Sequence, residues 1–360
     1  MNMRFISSVL RSSLLGAAVG ALTFSASAQA QDLPVVDVMS PNGASCSVYP
    51  QFTGQVLGTY EAAGVSVNLL NSETTVPYVA FLQNGDADVV TLDSSQVLQA
   101  VTANLPIKVV YEAYQFAPEG IVVKADSPIQ GLADLKDVTI GMASDRDLIT
   151  TIIAMDSIGA TLEDNNITTV VVGDSGPVMA SALTNGQIDA FAGGASDRAG
   201  IEAAGVEIRN ITPAAVSRNP GNSFAVWGPT MEEKRELISG FLKGWAMAQH
   251  QGVLDTKLAA STCRTIQPEQ FENMEVGMKM MNGAIYQRQL RRTKDYGELQ
   301  PDVWALIQAP YVKAGEIPAE IDPSVFLDSS FIAAANDWTT DDVKKLMNDW
   351  AEANADNLIP

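Results

Sequence analysis

Leu82-Gln83-Asn84-Gly85-Asp86-Ala87-Asp88 and, further along the chain, Leu183-Thr184-Asn185-Gly186-Gln187-Ile188-Asp189 share the pattern L-x-N-G-x-x-D. Each reads as the end of a helix, because Asn-Gly readily takes the left-handed turn that stops one, followed by entry into an apolar strand. Continued in register, Ser94 and Ser95 fall opposite Ala195 and Ser196, in polar loops of small residues that open the next helix. Asn-Gly after a helix is common turn chemistry. Set within two consecutive runs of alternating strand and helix, the match predicts two lobes of similar build with corresponding strand ends facing each other.

Working outward, strand signals at Leu33 to Met39, Val65 to Leu70, Ala87 to Thr91 and Ile107 to Tyr111 alternate with helix signals up to Ala63, at Thr75 to Asn84 and at Ser94 to Thr102. Gly64 stands as the stop of the first helix. After Gly120 the alternation restarts, with strands at Ile121 to Val123, Val138 to Met142, Thr168 to Val172 and Asp189 to Ala192, and helices at Asp145 to Ile158 and Val178 to Asn185. Such alternation is that of parallel sheets covered by helices. From about residue 230 the chain reads as mostly helical. Leu237, Ile238, Phe241, Leu242 and Trp245 form one stripe of a helix over Glu232 to Gln251, and Met278, Met280 and Met281 read as core filler.

Composition narrows the function. The chain has 360 residues, 46% of them hydrophobic, enough for two packed cores. A formal charge of −20 repels phosphate backbones and anionic lipid, so a nucleic-acid partner is not expected. One His and two Cys leave little of the usual catalytic or zinc-binding vocabulary. His250 falls near the end of its predicted helix, off the apolar stripe and beside Gly252, where a surface cation suits the helix dipole.

Residues 1–30 read as a cleaved signal peptide: Arg4 and Arg11, an apolar run from Leu14 to Phe24, then Ala26-Ser27-Ala28 and Ala28-Gln29-Ala30 as cleavage sites. The run is about half the roughly 20 residues a membrane span needs. Cleavage removes both arginines and no acid, moving the balance to −22. The expected location is the periplasm. There an even thiol count favours a Cys46–Cys263 disulfide, with two buried free thiols as the alternative.

Further strings resemble a known family: Leu57-Gly58-Thr59-Tyr60-Glu61-Ala62-Ala63-Gly64-Val65, Leu82 to Asp88, Ala125-Asp126-Ser127-Pro128-Ile129 and Gly131-Leu132-Ala133-Asp134-Leu135-Lys136-Asp137-Val138-Thr139-Ile140-Gly141. Together, over about residues 35–225, they are similar to the periplasmic substrate-binding proteins of ABC importers, in the nitrate, sulfonate, taurine and thiamine-precursor group. After the last string this chain has Ser144-Asp145-Arg146 where the family often has Gly-Ser. The resemblance implies an α/β, type II bilobed periplasmic-binding-protein fold, two doubly wound lobes joined by a two-crossing hinge. Lobe I is expected over 31–115 and 225–360 and lobe II over 116–224. The implied function is a receptor, monomeric and without catalysis, that passes a small anionic or zwitterionic solute, sulfonate- or taurine-like, to an ABC permease. The alternatives are a receptor for a thiamine-precursor pyrimidine, an exported enzyme on the same fold, or a sensor reporting to a membrane kinase. Enzymes among the thiamine-precursor relatives use a Cys-rich segment and iron, which two isolated cysteines do not match, so no cofactor and no metal are expected.

Ligands of open α/β sheets gather beyond the C-terminal strand ends, where helix N-termini offer free N–H groups. The candidate binding residues are therefore Asn42 and Ser45 after the first strand, Asp93, Ser94 and Ser95 after the third, and Tyr114 at the first crossing. From lobe II come Ser144, Asp145 and Arg146, with Ser196 and Asp197 of a second Ser-Asp-Arg tripeptide ending at Arg198. Tyr114 and Trp227, with Phe116 and Phe224, lie near the expected crossings, where each can be core or part of an aromatic wall against a ligand. The serines and aspartates can equally cap their helices, and the arginines can be solvated partners of the aspartates. An Asp in the cleft favours an ammonium, an Arg an anionic head.

Overall fold

A computed structural model describes residues 33–40, 45–71, 78–115, 119–173, 175–213, 216, 220–290 and 293–360, apart from the side chains of Asn71, Arg146 and Ser196. The signal-peptide reading, Asn42 and Phe116 lie outside these residues. The strands are β1 Val35–Ser40, β2 Ser66–Asn71, β3 Val89–Leu92, β4 Ile107–Glu112, β5 Gly120–Lys124, β6 Thr139–Met142, β7 Thr168–Val171, β8 Ala190–Gly193, β9 Ile208–Asn210 and β10 Ser223–Trp227. The α-helices are α1 Tyr49–Leu57, α2 Thr59–Ala62, α3 Val79–Asn84, α4 Ser94–Thr102, α5 Leu148–Asp156, α6 Gly176–Thr184, α7 Ala195–Ala203, α8 Arg235–Leu254, α9 Thr256–Arg264, α10 Met274–Arg288, α11 Pro301–Lys313, α12 Ile332–Ala335 and α13 Thr340–Ala353. None of the described helices is long and apolar enough to cross a membrane.

Two five-stranded mixed sheets result, in the orders β2-β1-β3-β10-β4 and β7-β6-β8-β5-β9. Both follow one plan. Three parallel strands stand second-first-third, and an antiparallel strand from beyond the crossing, β10 or β5, takes the fourth position beside the third. This is the bilobed periplasmic-binding-protein fold. Ser223 and Phe224 lie in β10 and hence in the first sheet, although lobe II was expected to run to 224.

The L-x-N-G-x-x-D match is carried into atomic detail. Gly85 and Gly186 have φ of 78° and 69°, the left-handed turn at which a Cβ is strained. Leu82 and Leu183 are buried at the two cores. Asp88 accepts from the Asp37 N–H at 2.9 Å, and Asp189 accepts from the Thr139 N–H at 2.8 Å. In each lobe the motif's aspartate thus ties the third strand to the first, where their pairing begins.

The apolar stripe of α8 packs as its spacing dictates: Phe241, Leu242 and Trp245 cover one face of the first sheet with Val36, Val110 and Phe224. Trp304, Ile307 and Tyr311 of α11 cover the other face. In the second sheet Ile121, Ile140 and Ala192 face α5, and Val122 and Phe191 face α6. Gly58, at φ 74°, divides the expected first helix into α1 and α2, and Gly64, at φ 86°, stops the second of them as expected. Cys46 and Cys263 are joined in a disulfide, with Cα atoms 5.9 Å apart, tying the start of α1 to α9.

Candidate functional site

Strand direction fixes where a cleft can be. β1 and β3 run parallel, β10 runs against β3, and Ser223 pairs with Leu92 on one side and Glu112 on the other. The ends of β1, β3 and β4 and the start of β10 therefore share one edge of the first sheet. In the second sheet Gly120 pairs with Gly193, so the start of β5 lies at the ends of β6 and β8. The first sheet leads out through 113–115 and the second begins after 119, and the described residues of the return are 211–213, 216 and 220–222. The crossings are bonded together: Tyr114 N–H donates to Asn222 O at 3.1 Å, and Gly221 N–H to Tyr114 O at 3.3 Å.

Most of the expected residues gather at these edges, and the caps explain several of them. Asp93 closes a capping box at α4, accepting from Gln96 N–H at 2.8 Å while Gln96 Oε1 accepts from Asp93 N–H at 3.0 Å. Such a cap contributes about 1 kcal/mol. Ser94 Oγ is 2.9 Å from the Tyr311 hydroxyl, and Ser95 Oγ accepts from Gln99 Nε2 at 3.2 Å. Ser45 Oγ accepts from Ser47 N–H at 3.2 Å.

In lobe II, Ser144 N–H donates to Asp147 at 2.8 Å and Gly194 N–H donates to Asp197 at 2.7 Å. The counterpart of Asp197 is thus Asp147. The two Ser-Asp-Arg tripeptides are out of register, since Ser144 is a cap residue and Ser196 lies inside α7. Asp145 is exposed, and the side chains of Arg146 and Ser196 lie outside the described residues.

Trp227 is not with them. It pairs with Ile107 at the far end of β10, four residues and about 13 Å of strand from Ser223, and packs into lobe I. Phe224 is core, with its ring centroid 4.7 Å from that of Trp245.

Glu119, absent from the expected set, feels charges from both edges. It opens the second strand run from the first crossing and is half-buried. Loss of water pushes its carboxyl up to about 7, and Asp93 of lobe I and Asp147 of lobe II push the same way. Its own backbone hydrogen bond and the Arg198 guanidinium oppose the rise. Burial in turn lowers the Arg198 pKa, against the pull of Glu119, Asp197 and Glu202. Gly120 makes this arrangement possible, because a Cβ there would overlap Arg198 Nη1 and stand 2.8 Å from Thr212 Oγ1. Tyr311, from α11, reaches the same group and feels Asp93 and Glu119, with its hydroxyl pKa raised by burial.

Tyr114 is buried at the first crossing, and the Arg288 guanidinium lies 3.9 Å over its ring. Arg288 is itself fully buried and donates to Ala284 O at 2.7 Å and Ser47 O at 2.8 Å. His250 is half-buried rather than a surface cation. Its ring nitrogens meet the Tyr296 hydroxyl at 2.9 Å and Thr340 Oγ1 at 3.2 Å, and burial, helped by Lys344, lowers its pKa.

Among the described side chains, the Arg198 guanidinium shares the electrostatics of Glu119 with carboxylates from both sides, and the Ser94 and Tyr311 hydroxyls are bonded to each other at the same edge.

Comparison with solved structures agrees with the fold. The periplasmic aliphatic sulphonate binding protein SsuA from Escherichia coli is similar at a TM-score of 0.62 and 16% identity, over 81% of this chain and 91% of that one. The alkanesulfonate-binding protein SsuA from Xanthomonas axonopodis pv. citri, bound to MOPS, is similar at 0.61 and 14%, over 84% and 100%. The desulfurization enzyme DSZB shares the fold at 0.56 and 15%, over 83% and 98%. No curated protein matches the sequence significantly. The family model described as NMT1/THI5 like matches residues 46–251, more than half of the sequence, and the chain belongs to that family.

Proposed function

We propose that this protein is an exported substrate-binding receptor of an ABC importer, and that its solute is a small zwitterion pairing an acidic head with an amine, as an aminosulfonate such as taurine does. The observation that carries this reading is the meeting of Arg198 with Glu119, between Asp93 of one lobe and Asp147 of the other. A guanidinium with neighbouring hydroxyls favours the acidic head. Carboxylates closing in from both lobes favour an ammonium and disfavour a solute that is only an anion. The sulfonate-binding neighbours support the acidic half of the solute. The ABC permease is then its partner.

Binding without turnover fits the side chains. Both cysteines are in the disulfide, and His250 is engaged by Tyr296 and Thr340 away from the lobe junction. For a pyrimidine, the ring to stack on would be Tyr114, and Arg288 already occupies one of its faces.

A thermal-shift series with an aminosulfonate, an alkanesulfonate of equal length, an alkylamine and an aminopyrimidine tests the proposal. A ligand at a hundred times its Kd stabilises by about 2.7 kcal/mol. The aminosulfonate should give the largest shift. An alkanesulfonate that binds as well as its amino counterpart would overturn the zwitterion, and a pyrimidine alone shifting the curve would overturn the class.

A further inference from the structure

Among the described residues, two ion pairs join the lobes outside the group around Glu119. Lys313 Nζ, on the last residue of α11, donates to Asp156, the last residue of α5, at 2.8 Å. Lys279 Nζ of α10 lies 3.8 Å from Glu202 in the last turn of α7, and 3.4 Å from Glu275 on its own helix. Lysines come from lobe I and acids from lobe II in both cases.

Both acids sit where their own helices disfavour them. The last turn of a helix carries the negative end of its dipole. Neither α5 nor α7 has a basic residue there to compensate. Asp156 therefore meets a lysine only from lobe I, whereas Glu202 also feels Arg198 one turn earlier on its own helix, which leaves the Lys279 pair the weaker of the two. Beside the Lys313 pair, Ile149 and Ile153 of α5 pack against the apolar cluster that holds Trp304, Ile307 and Tyr311. Ile153 also touches the core of lobe II.

α5 connects this contact to the cleft. Its nine residues span about 13 Å as one rigid element. Its N-terminal end continues from the Ser144–Asp147 turn, whose carboxylate acts electrostatically on Glu119, and its C-terminal end carries Asp156. Bringing the Asp147 turn up to a solute and bringing Asp156 up to Lys313 are one movement.

We infer that Lys313–Asp156, seconded by Lys279–Glu202 and the isoleucine contact, is a latch that holds the lobes together without ligand. The latch sets the fraction of closed molecules before any solute arrives. An exposed pair of this kind shifts a closed-to-open ratio by about two- to fivefold, and the shift is screened by salt. Because affinity scales with the population of the binding-competent state, the same factor appears in Kd. That last consequence rests on the receptor reading, whereas the latch does not.

Small-angle X-ray scattering of the ligand-free chain tests it, comparing wild type, Lys313→Glu, Asp156→Lys and the double charge swap at low and high salt. Each single reversal should raise the radius of gyration at low salt, and the swap should restore the wild-type value. Wild type should itself expand as salt is raised. Lys279→Glu, with Glu202→Lys as its complement, should repeat the pattern more weakly. Both primary side chains are partly exposed, so circular dichroism should show an unchanged fold in every variant. Single variants that scatter like wild type at every salt concentration would overturn the latch, as would a swap that stays as open as its parents.

Discussion

Glu119→Gln gives the sharpest reading of the electrostatics at the lobe junction. The wild-type carboxyl titrates near 7 against an ordinary value of 4.5, so the folded chain holds that proton more tightly than the unfolded chain does. At about 1.36 kcal/mol per unit, ionising it costs the fold roughly 3 kcal/mol. Water reaching its half-exposed side screens part of this, leaving on the order of 1–2 kcal/mol. The penalty is absent below about pH 4.5, grows as pH rises, and is complete above about 7. Glutamine keeps the shape and removes the charge. The variant should therefore match wild type at pH 4 and be more stable by about 1–2 kcal/mol at pH 8. Paired thermal melts across that range measure the difference directly, because His250 and every other titrating group are common to both proteins. Equal stability at pH 8, or an offset that does not change with pH, would refute the reasoning. An ammonium placed beside Glu119 should also expel its proton. Titrations of an amine-bearing solute in buffers of different ionisation enthalpy should then show proton release near pH 7, and affinity should fall as pH drops below that value.

Three further outcomes are expected. Gly244→Ala should lower Tm, because its Cβ would stand 2.8 Å from Tyr60 Cα and 3.1 Å from Tyr60 N, backbone that cannot retreat; this overlap costs about 1–3 kcal/mol and outweighs a helix-propensity gain of up to about 1. Gly283→Ala, on the same scale but with nothing near its Cβ, should raise Tm, and a matching sign for the two would contradict the packing of α8 on α2. Reducing the Cys46–Cys263 bridge, which closes a separation of 217 residues, should cost about 2–5 kcal/mol by urea denaturation, and an unchanged midpoint would show that it contributes nothing. Exported protein should begin near Gln29 or Gln31 on N-terminal sequencing, and Met1 at the mature terminus would contradict cleavage.

The sequence carried the parts of the fold that are written locally. Asn84-Gly85 and Asn185-Gly186 stop helices by the conformation of one glycine each, and Asp88 and Asp189 follow at fixed spacing. Helix α4 is found at its expected bounds, Ser94–Thr102, because Asp93 and Gln96 write its start. β10 had a strand-like composition in Ser223-Phe224-Ala225-Val226-Trp227, yet its place between β3 and β4 depends on a return from the other lobe. Misjudging that return put Trp227 at the wrong end of the sheet. The site was legible only in pieces. The place of Asp93 and Ser94 at a strand end follows from local logic, whereas the electrostatic coupling of Glu119 with Asp147, Arg198 and Tyr311 arises across two crossings and a C-terminal helix, and sequence spacing carries no such distance. The repeated Ser-Asp-Arg obscured the register, since the shared feature is a carboxylate three residues after the cap, at Asp147 and Asp197.

The central claim is that a solute binds between the two sets of strand ends, and hydrogen–deuterium exchange with and without saturating ligand tests it most directly. The account predicts new protection at 93–96, 119–121, 144–148 and 194–198 together, since closure buries both edges at once. Protection on one lobe alone, or protection confined to the groove lined by Glu298, Leu299, Asp302, Pro323 and Leu327, would contradict it.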